Sequence, residues 1–245
     1  MLLIDAGNSR IKWALSSADG LEAHGVAETG AGLPAVLTQL PAQRVMIGSV
    51  AGDEHDHELQ AALRDAGHGP VTFATVQRDC CGLKIAYEVP ARLGVDRWLA
   101  MLGGQGLVDG ALCIADAGTA LTVDAVTGDG QHLGGLIAPG TGTMMRAMLS
   151  DTARIGEAGP VDTLTAGDMF ASDTGAAVAA GAGFAAAALI DRAVNELAER
   201  QDEPVTLLLT GGEAPALARL VTTPTTVSPD LVLRGLDRLA REATA

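Results

Sequence analysis

One local pattern occurs twice in this chain, and it constrains the fold more than any other feature. Residues 1–15 read as an apolar run, an Asp-Ala-Gly-Asn-Ser turn and a returning strand-like segment. Residues 111–126 repeat the order, with Asp-Ala-Gly-Thr-Ala in the turn. Turn residues between two apolar runs predict a β-hairpin. The copies lie about half a chain length apart, so we expect two related halves that each begin with the same hairpin.

The rest of the chain alternates predicted strands and helices, which indicates an α/β fold with a mixed sheet flanked by helices. Further strands are predicted at 44–50, 132–138 and 205–209, and helices at 53–66, 94–107, 166–197, 214–220 and 230–242. With 245 residues the chain accommodates two halves of ordinary domain size. We place them at 1–109 and 110–245.

Composition excludes several classes of protein. Hydrophobic residues make up 48% of the chain, which excludes intrinsic disorder. Three Phe, two Trp and one Tyr are too few for a nucleic-acid stacking surface. The same scarcity of aromatic residues predicts an aliphatic core, with Trp13 and Trp98 inside it. The net charge of −14 and the lack of a basic cluster argue against nucleic-acid binding. If the chain binds a phosphate, backbone amides, helix termini or a metal must therefore hold it locally.

Cysteine usage and hydropathy predict a cytoplasmic protein. Cys80, Cys81 and Cys113 have no framework spacing, so we interpret them as reduced packing residues. No targeting segment is visible at the start of the chain. Residues 174–190 are uncharged but rich in Ala and Gly and flanked by Asp173 and Asp191, which favours a buried helix over a membrane span.

The Asp-Ala-Gly turns carry the first chemical signal. A glycine after a buried strand allows a tight turn and brings backbone amides close to an anion. An aspartate at the strand end suits a cation that also binds phosphate oxygens. Thr210 and the glycines at 211 and 212 supply a third turn after a strand. The common phosphate loop, G-x-x-x-x-G-K-[ST], is absent from the sequence.

This combination resembles the superfamily of acetate kinase, sugar kinases, Hsp70 chaperones and actin. The resemblance implies two duplicated actin-like (ribonuclease H-like) halves, with a nucleotide held by two phosphate hairpins and an adenosine-side glycine pair.

A second signal lies between the hairpins, where residues 93–98 read Leu-Gly-Val-Asp-Arg-Trp. A carboxylate can accept the proton of a hydroxyl during phosphoryl transfer, and a neighbouring guanidinium can bind an anionic group with two hydrogen bonds. From spacing alone, the simpler interpretation is that Asp96 caps a helix and Arg97 is a surface arginine.

The motifs, taken in order, resemble type III pantothenate kinase. They are Asp-Ala-Gly-Asn-Ser, Gly-Val-Asp-Arg, Asp-Ala-Gly-Thr-Ala, the stretch 132–140 and Thr-Gly-Gly, and together they span about 1–215. The resemblance implies ATP-dependent phosphorylation of pantothenate, the first step of coenzyme A biosynthesis. It assigns Asp96 as the catalytic proton acceptor and Arg97 as the ligand of the pantothenate carboxylate. Tyr87, Gly94 and Val95 complete the implied substrate site.

The same resemblance assigns the nucleotide side. The first ATP-binding segment would comprise Asp5, Ala6, Gly7, Asn8, Ser9, Arg10, Ile11 and Lys12. Ser9 stands where the family usually has threonine, and it keeps the hydroxyl. Thr119 would contact ATP, and Asp116 would bind a monovalent cation (K⁺ or NH₄⁺) in addition to the Mg²⁺ of ATP. Thr174 matches a threonine that reaches pantothenate from the partner subunit, which implies a homodimer.

Other interpretations remain open at this point. A non-catalytic regulator on the same scaffold, a kinase for another small hydroxy acid, and a filament-forming actin relative are the alternatives. The run 175–188 is a candidate dimer interface. The acidic stretch 53–58 contains two histidines, but they point to different faces of a helix, so we assign no metal there.

Overall fold

A computed structural model gives the fold and describes residues 1–7, 10–28, 37, 42–151 and 169–242. The chain forms two compact units, one of Met1–Leu107 with Asp230–Ala245 and the other of Val108–Pro229. The boundary predicted from the sequence places the last helix in the second half. In the structure it belongs to the first unit, where its apolar face packs.

The first unit is built on a five-stranded mixed sheet with the order β3-β2-β1-β4-β5. Its strands are β1 (Leu2–Ala6), β2 (Arg10–Ser17), β3 (Gly20–Glu28), β4 (Val45–Ser49) and β5 (Val71–Phe73). The first three strands are antiparallel neighbours, and β4 and β5 run parallel to β1. A small hairpin, β6 (Asp79–Cys80) and β7 (Leu83–Lys84), follows. Leu2, Leu3 and Ile4 are fully buried, which explains why β1 takes the central position.

The second unit repeats this topology with the order β10-β9-β8-β11-β12. Its strands are β8 (Ala111–Ala117), β9 (Ala120–Val126), β10 (His132–Pro139), β11 (Val205–Thr210) and β12 (Thr225–Val227). Here too an antiparallel meander is joined by two parallel strands. The repeated strand order confirms the mixed, helix-flanked α/β fold and the duplication that the sequence echo predicts.

Among the residues that the structure describes, the helices that flank the first sheet are α1 (Asp53–Asp65), α2 (Val95–Gln105) and, after the second unit, α6 (Leu231–Glu242). Helices α2 and α6 cross with their backbones in contact. A Cβ added at Gly103 would lie 2.1 Å from the Leu231 carbonyl oxygen, and one added at Gly235 would lie 2.0 Å from the Leu99 carbonyl oxygen. Glycine is therefore required on both helices at this crossing.

The second unit contains α3 (Thr141–Asp151), α4 (Thr174–Gln201) and the short α5 (Ala214–Leu217). Helix α4 packs its buried side chains, among them Ile190 and Val194, onto the sheet. Of the described residues, only this helix is long and apolar enough to cross a membrane, a test that the core helix of a globular protein also passes. It begins at 174 rather than at 166, because Asp173 caps it by accepting a hydrogen bond from the Ala176 N–H at 2.9 Å.

Several elements escaped the sequence patterns. Helix α3 and the short edge strands β5 and β12 lack a clear apolar period, and no described side chain of β3 is buried. Trp13 and Trp98 are 7% and 0% exposed, which confirms both as core residues.

Candidate active site

The first hairpin presents its turn at the end of a buried strand. Asp5 is half-buried and pairs in register with Lys12 on β2 and Gly48 on β4. The Gly7 N–H donates to the Arg10 carbonyl oxygen at 3.0 Å and closes the turn. Asn8 and Ser9, the predicted tip, lie outside the described residues. Ala6 and Ile11 are buried, so their side chains support the hairpin.

The first turn of α2 carries the predicted catalytic aspartate. The Asp96 carboxylate accepts a hydrogen bond from the Arg97 backbone N–H at 2.8 Å and remains partly exposed. A Cβ added at Gly94 would lie 2.5 Å from Asp96 Oδ1, so any larger residue there would force the carboxylate out of its present orientation. An acidic group in the first helical turn is also favoured by the helix dipole. Gly94 directly precedes α2, and Val95 is its first residue, so both lie next to Asp96 in the chain.

Arg97 and Tyr87, which are ten residues apart, come together in the structure. Arg97 Nη1 donates to the Tyr87 hydroxyl at 3.2 Å, and its guanidinium lies 5.9 Å from the centre of the tyrosine ring. Arg97 is only 6% exposed. A guanidinium costs free energy when it is buried unless its donors are satisfied, and its fork geometry suits a carboxylate. Tyr87 thus helps to orient a buried guanidinium, the side-chain group that binds carboxylates with two hydrogen bonds.

The second hairpin repeats the geometry of the first. Asp116 is half-buried near the end of β8, in register with Thr122 and Thr210. The Gly118 N–H donates to the Ala120 carbonyl oxygen at 3.1 Å, and Thr119 is exposed at the turn.

The glycine turn after β11 packs directly against this hairpin. Gly211 has a φ of 92°, and a Cβ there would lie 2.4 Å from the Ala117 carbonyl oxygen and 2.5 Å from Asp116 Oδ1. The backbone therefore approaches the Asp116 carboxylate as closely as only glycine allows. No cluster of three or more ligating side chains occurs among the described residues. A cation at Asp116 would thus take one carboxylate and complete its shell with other oxygens, such as those of phosphate, which is a donor set that hard cations accept.

Sequence reasoning missed Glu213, which follows the glycine pair. Its carboxylate accepts hydrogen bonds from the Thr141 N–H at 3.2 Å, the Thr141 hydroxyl at 2.6 Å and the Gly142 N–H at 3.1 Å. These donors form the first turn of α3. Glu213 directly follows the glycine turn at the end of the buried strand β11. This position was the sequence signal that could have identified it.

Thr174 is the first residue of α4 and is exposed. It belongs to the second unit, whereas Tyr87, Asp96 and Arg97 belong to the first. The exposed Met169 and Phe170 precede it.

Comparison with known proteins decides the family. A family model described as type III pantothenate kinase matches residues 1–196. The chain belongs to the type III pantothenate kinase family. A family relative from Burkholderia thailandensis is 42% identical over 99% of this chain and 98% of its own length. A relative from Chromobacterium violaceum is 39% identical over 98% of both chains. The predicted family is therefore confirmed.

Solved structures confirm the fold class. A putative Baf family transcriptional activator from Campylobacter jejuni matches with a TM-score of 0.59 and 21% identity, over 100% of this chain and 99% of its own. A putative 2-dehydro-3-deoxygalactonokinase from Sinorhizobium meliloti matches with a TM-score of 0.58 and 15% identity, over 98% of both chains. At these identities the likeness concerns the actin-like fold alone.

Proposed function

We propose that this chain transfers the γ-phosphoryl group of ATP to the primary hydroxyl of pantothenate, giving 4'-phosphopantothenate in the first step of coenzyme A biosynthesis. The observation that carries this proposal is the match over nearly the full chain to relatives named type III pantothenate kinase. The geometry of Asp96 and Arg97 supports it.

On the acceptor side, Asp96 acts as the general base. Its partly exposed carboxylate accepts the proton of the pantothenate hydroxyl while the oxygen attacks the γ-phosphorus and ADP leaves. Arg97 binds the pantothenate carboxylate through its guanidinium fork, and the Tyr87 hydroxyl orients that fork. Gly94 leaves room for the Asp96 carboxylate at the start of α2, and Gly94 and Val95 would line the substrate site beside it.

On the nucleotide side, residues 5–12 and Thr119 contact ATP through the two hairpins. Asp116 would hold a monovalent cation, K⁺ or NH₄⁺, and Mg²⁺ would accompany the nucleotide. These cations would neutralise phosphate charge in a chain with few Lys and Arg residues. With them, a chain of net charge −14 would still be able to bind ATP.

The assembly is also part of the proposal. Thr174 would complete the substrate site of a partner subunit in a homodimer, and the Ala- and Gly-rich face of α4 would be available for subunit packing. The enzyme would work in the cytoplasm.

The test is ADP release by the purified protein with ATP, Mg²⁺ and pantothenate, in K⁺ and then in Na⁺ buffer. We expect pantothenate-dependent turnover that is faster in K⁺. Asp96→Asn removes the base but keeps the shape of the side chain, so kcat should fall by about 10²- to 10⁴-fold. A folded protein that binds ATP without any turnover would contradict the enzyme assignment and favour a regulatory role.

A further inference from the structure

Glu213 connects three segments of the second unit. Its backbone N–H donates to the Ala117 carbonyl oxygen at 3.0 Å, in the strand that carries Asp116. Its carboxylate accepts the three hydrogen bonds from Thr141 and Gly142 at the start of α3. Gly211, two residues before it, packs against Asp116 Oδ1. One residue thus links the glycine turn, the second hairpin and α3.

Helix α3 in turn holds the tip of that hairpin. The Thr143 hydroxyl donates to the Thr119 carbonyl oxygen at 2.8 Å, and the Gly140 N–H donates to the same oxygen at 3.0 Å. A Cβ added at Gly140 would lie 2.0 Å from the Gly118 carbonyl oxygen, so this approach is as close as the backbone allows. Any movement of the α3 N-terminus is therefore transmitted to the Thr119 turn.

The charge of Glu213 is used locally. The first N–H groups of a helix have no partner within the helix, and their partial positive charge attracts anions. Here Glu213 takes the N–H groups of Thr141 and Gly142, so the N-terminus of α3 is already occupied by a carboxylate of the chain itself. The N-terminus of α3 therefore anchors the hairpin. The backbone amides of the turns, and not this helix, would bind the phosphates.

We infer that Glu213 is a positioning residue for nucleotide binding, which holds the turn at 116–119 in its binding conformation through α3. This inference rests on the proposed function, because it assumes that the turn contacts ATP. Glu213 itself need not touch the nucleotide. A neutral amide at 213 keeps the size of the side chain but can accept fewer of the three hydrogen bonds, since its nitrogen is a donor.

The experiment measures ADP binding to the purified full chain by titration calorimetry and, separately, the KM values for ATP and pantothenate. Glu213→Gln should raise the dissociation constant of ADP and the KM for ATP by about tenfold, the scale of one lost hydrogen bond to a charged group. The KM for pantothenate should change less than twofold. Glu213→Asp keeps the charge and should recover part of the ADP affinity.

Two further variants separate positioning from folding. Glu199→Gln removes an equally charged but exposed side chain on α4 and should leave ADP affinity unchanged. Thr141→Val removes the hydroxyl that Glu213 binds, so its effect and that of Glu213→Gln should not add in the double variant.

Glu213→Gln could bind ADP with an affinity within twofold of the unaltered chain and unfold at a lower temperature. Glu213 would then be only a structural cap, and this result would overturn the inference without affecting the proposed function. Failure of the unaltered chain to bind ADP would overturn the proposed function as well.

Discussion

Replacing Gly235 with alanine tests whether the crossing of α2 and α6 determines the structure of the first unit. The new Cβ would lie 2.0 Å from the Leu99 carbonyl oxygen, 2.6 Å from its carbonyl carbon and 2.9 Å from its Cα. All three atoms belong to the backbone, so no side-chain rotation relieves the overlap. Ordinary contact begins at 3.4 Å, and the two helices would have to separate locally by about 1.4 Å.

The expected magnitude follows from two opposing effects. Alanine favours a helix over glycine by about 1 kcal/mol. Forcing extra volume into a packed core costs about 1–3 kcal/mol and occasionally more. Separation would also weaken the bonds from Arg238 to the Leu102 carbonyl oxygen (3.1 Å) and the Cys81 carbonyl oxygen (2.7 Å). We expect the free energy of unfolding of the first unit to fall by about 2 kcal/mol.

The assay is urea unfolding followed by tryptophan fluorescence. Both tryptophans, Trp13 and Trp98, belong to the first unit, so the signal reports that unit. A loss of 2 kcal/mol should lower the urea midpoint by about 1 M with an unchanged slope.

Gly106→Ala is the matched control. Gly106 follows α2 with a φ of −77°, and a Cβ there would meet nothing closer than 3.4 Å. It should shift the free energy by less than about 0.5 kcal/mol. If Gly235→Ala proves as stable as Gly106→Ala, the argument from the helix crossing is refuted.

Three further predictions concern single side chains. Arg97→Lys loses the guanidinium fork beside Tyr87, so the KM for pantothenate should rise at least about tenfold, with a smaller change in kcat. Partial burial opposes ionisation of Asp191, but hydrogen bonds from two threonines outweigh it and lower its pKa. Asp191→Asn should therefore lose about 1 kcal/mol of stability near pH 7, measured by thermal unfolding. Burial, with a nearby aspartate, raises the pKa of the Cys113 thiol to about 12. Peptide mass analysis after alkylation at pH 8 should therefore find the partly exposed Cys81 modified and Cys113 intact.

Each of these has a distinguishing outcome. The Arg97→Lys prediction fails if the KM for ATP rises instead. A carboxyl group whose pKa is lower in the folded protein stabilises the fold at pH values above its unfolded-state pKa. That stabilisation is lost as the pH falls through the folded-state pKa. The unaltered chain and Asp191→Asn should therefore become equally stable in acid. A difference that persists there would exclude the carboxylate as its origin. Cys113 should react only after unfolding in denaturant, and modification of the native protein would contradict its burial.

The local patterns predicted most of the fold. The paired apolar runs predicted β1 with β2 and β8 with β9, because a hairpin needs only neighbouring residues. Helix α2 begins within one residue of the prediction, because Gly94 has a non-helical backbone with a ψ of 133°. Short edge strands were missed, because their pairing partners lie far away in the sequence.

Chemistry-bearing residues were also visible in the sequence, since Asp5, Asp96 and Asp116 each follow a strand or open a helix. Their neighbours across the fold were not. The resemblance assigned Tyr87 and Arg97 to one substrate site, but no local pattern predicts the hydrogen bond between them. Nor does one predict that Glu213 binds the first turn of α3.

Hydrophobic periodicity and turn residues depend on nearest neighbours, so the sequence was sufficient for the duplication, the hairpins and the family. Contacts between distant segments depend on backbone approaches that no local pattern encodes. The close crossing at Gly103 and Gly235, which brings the last helix into the first unit, is one. The carboxylate of Glu213 at the start of α3 is the other. Only the packing of distant segments in three dimensions determines which positions must be glycine and which carboxylate caps a helix.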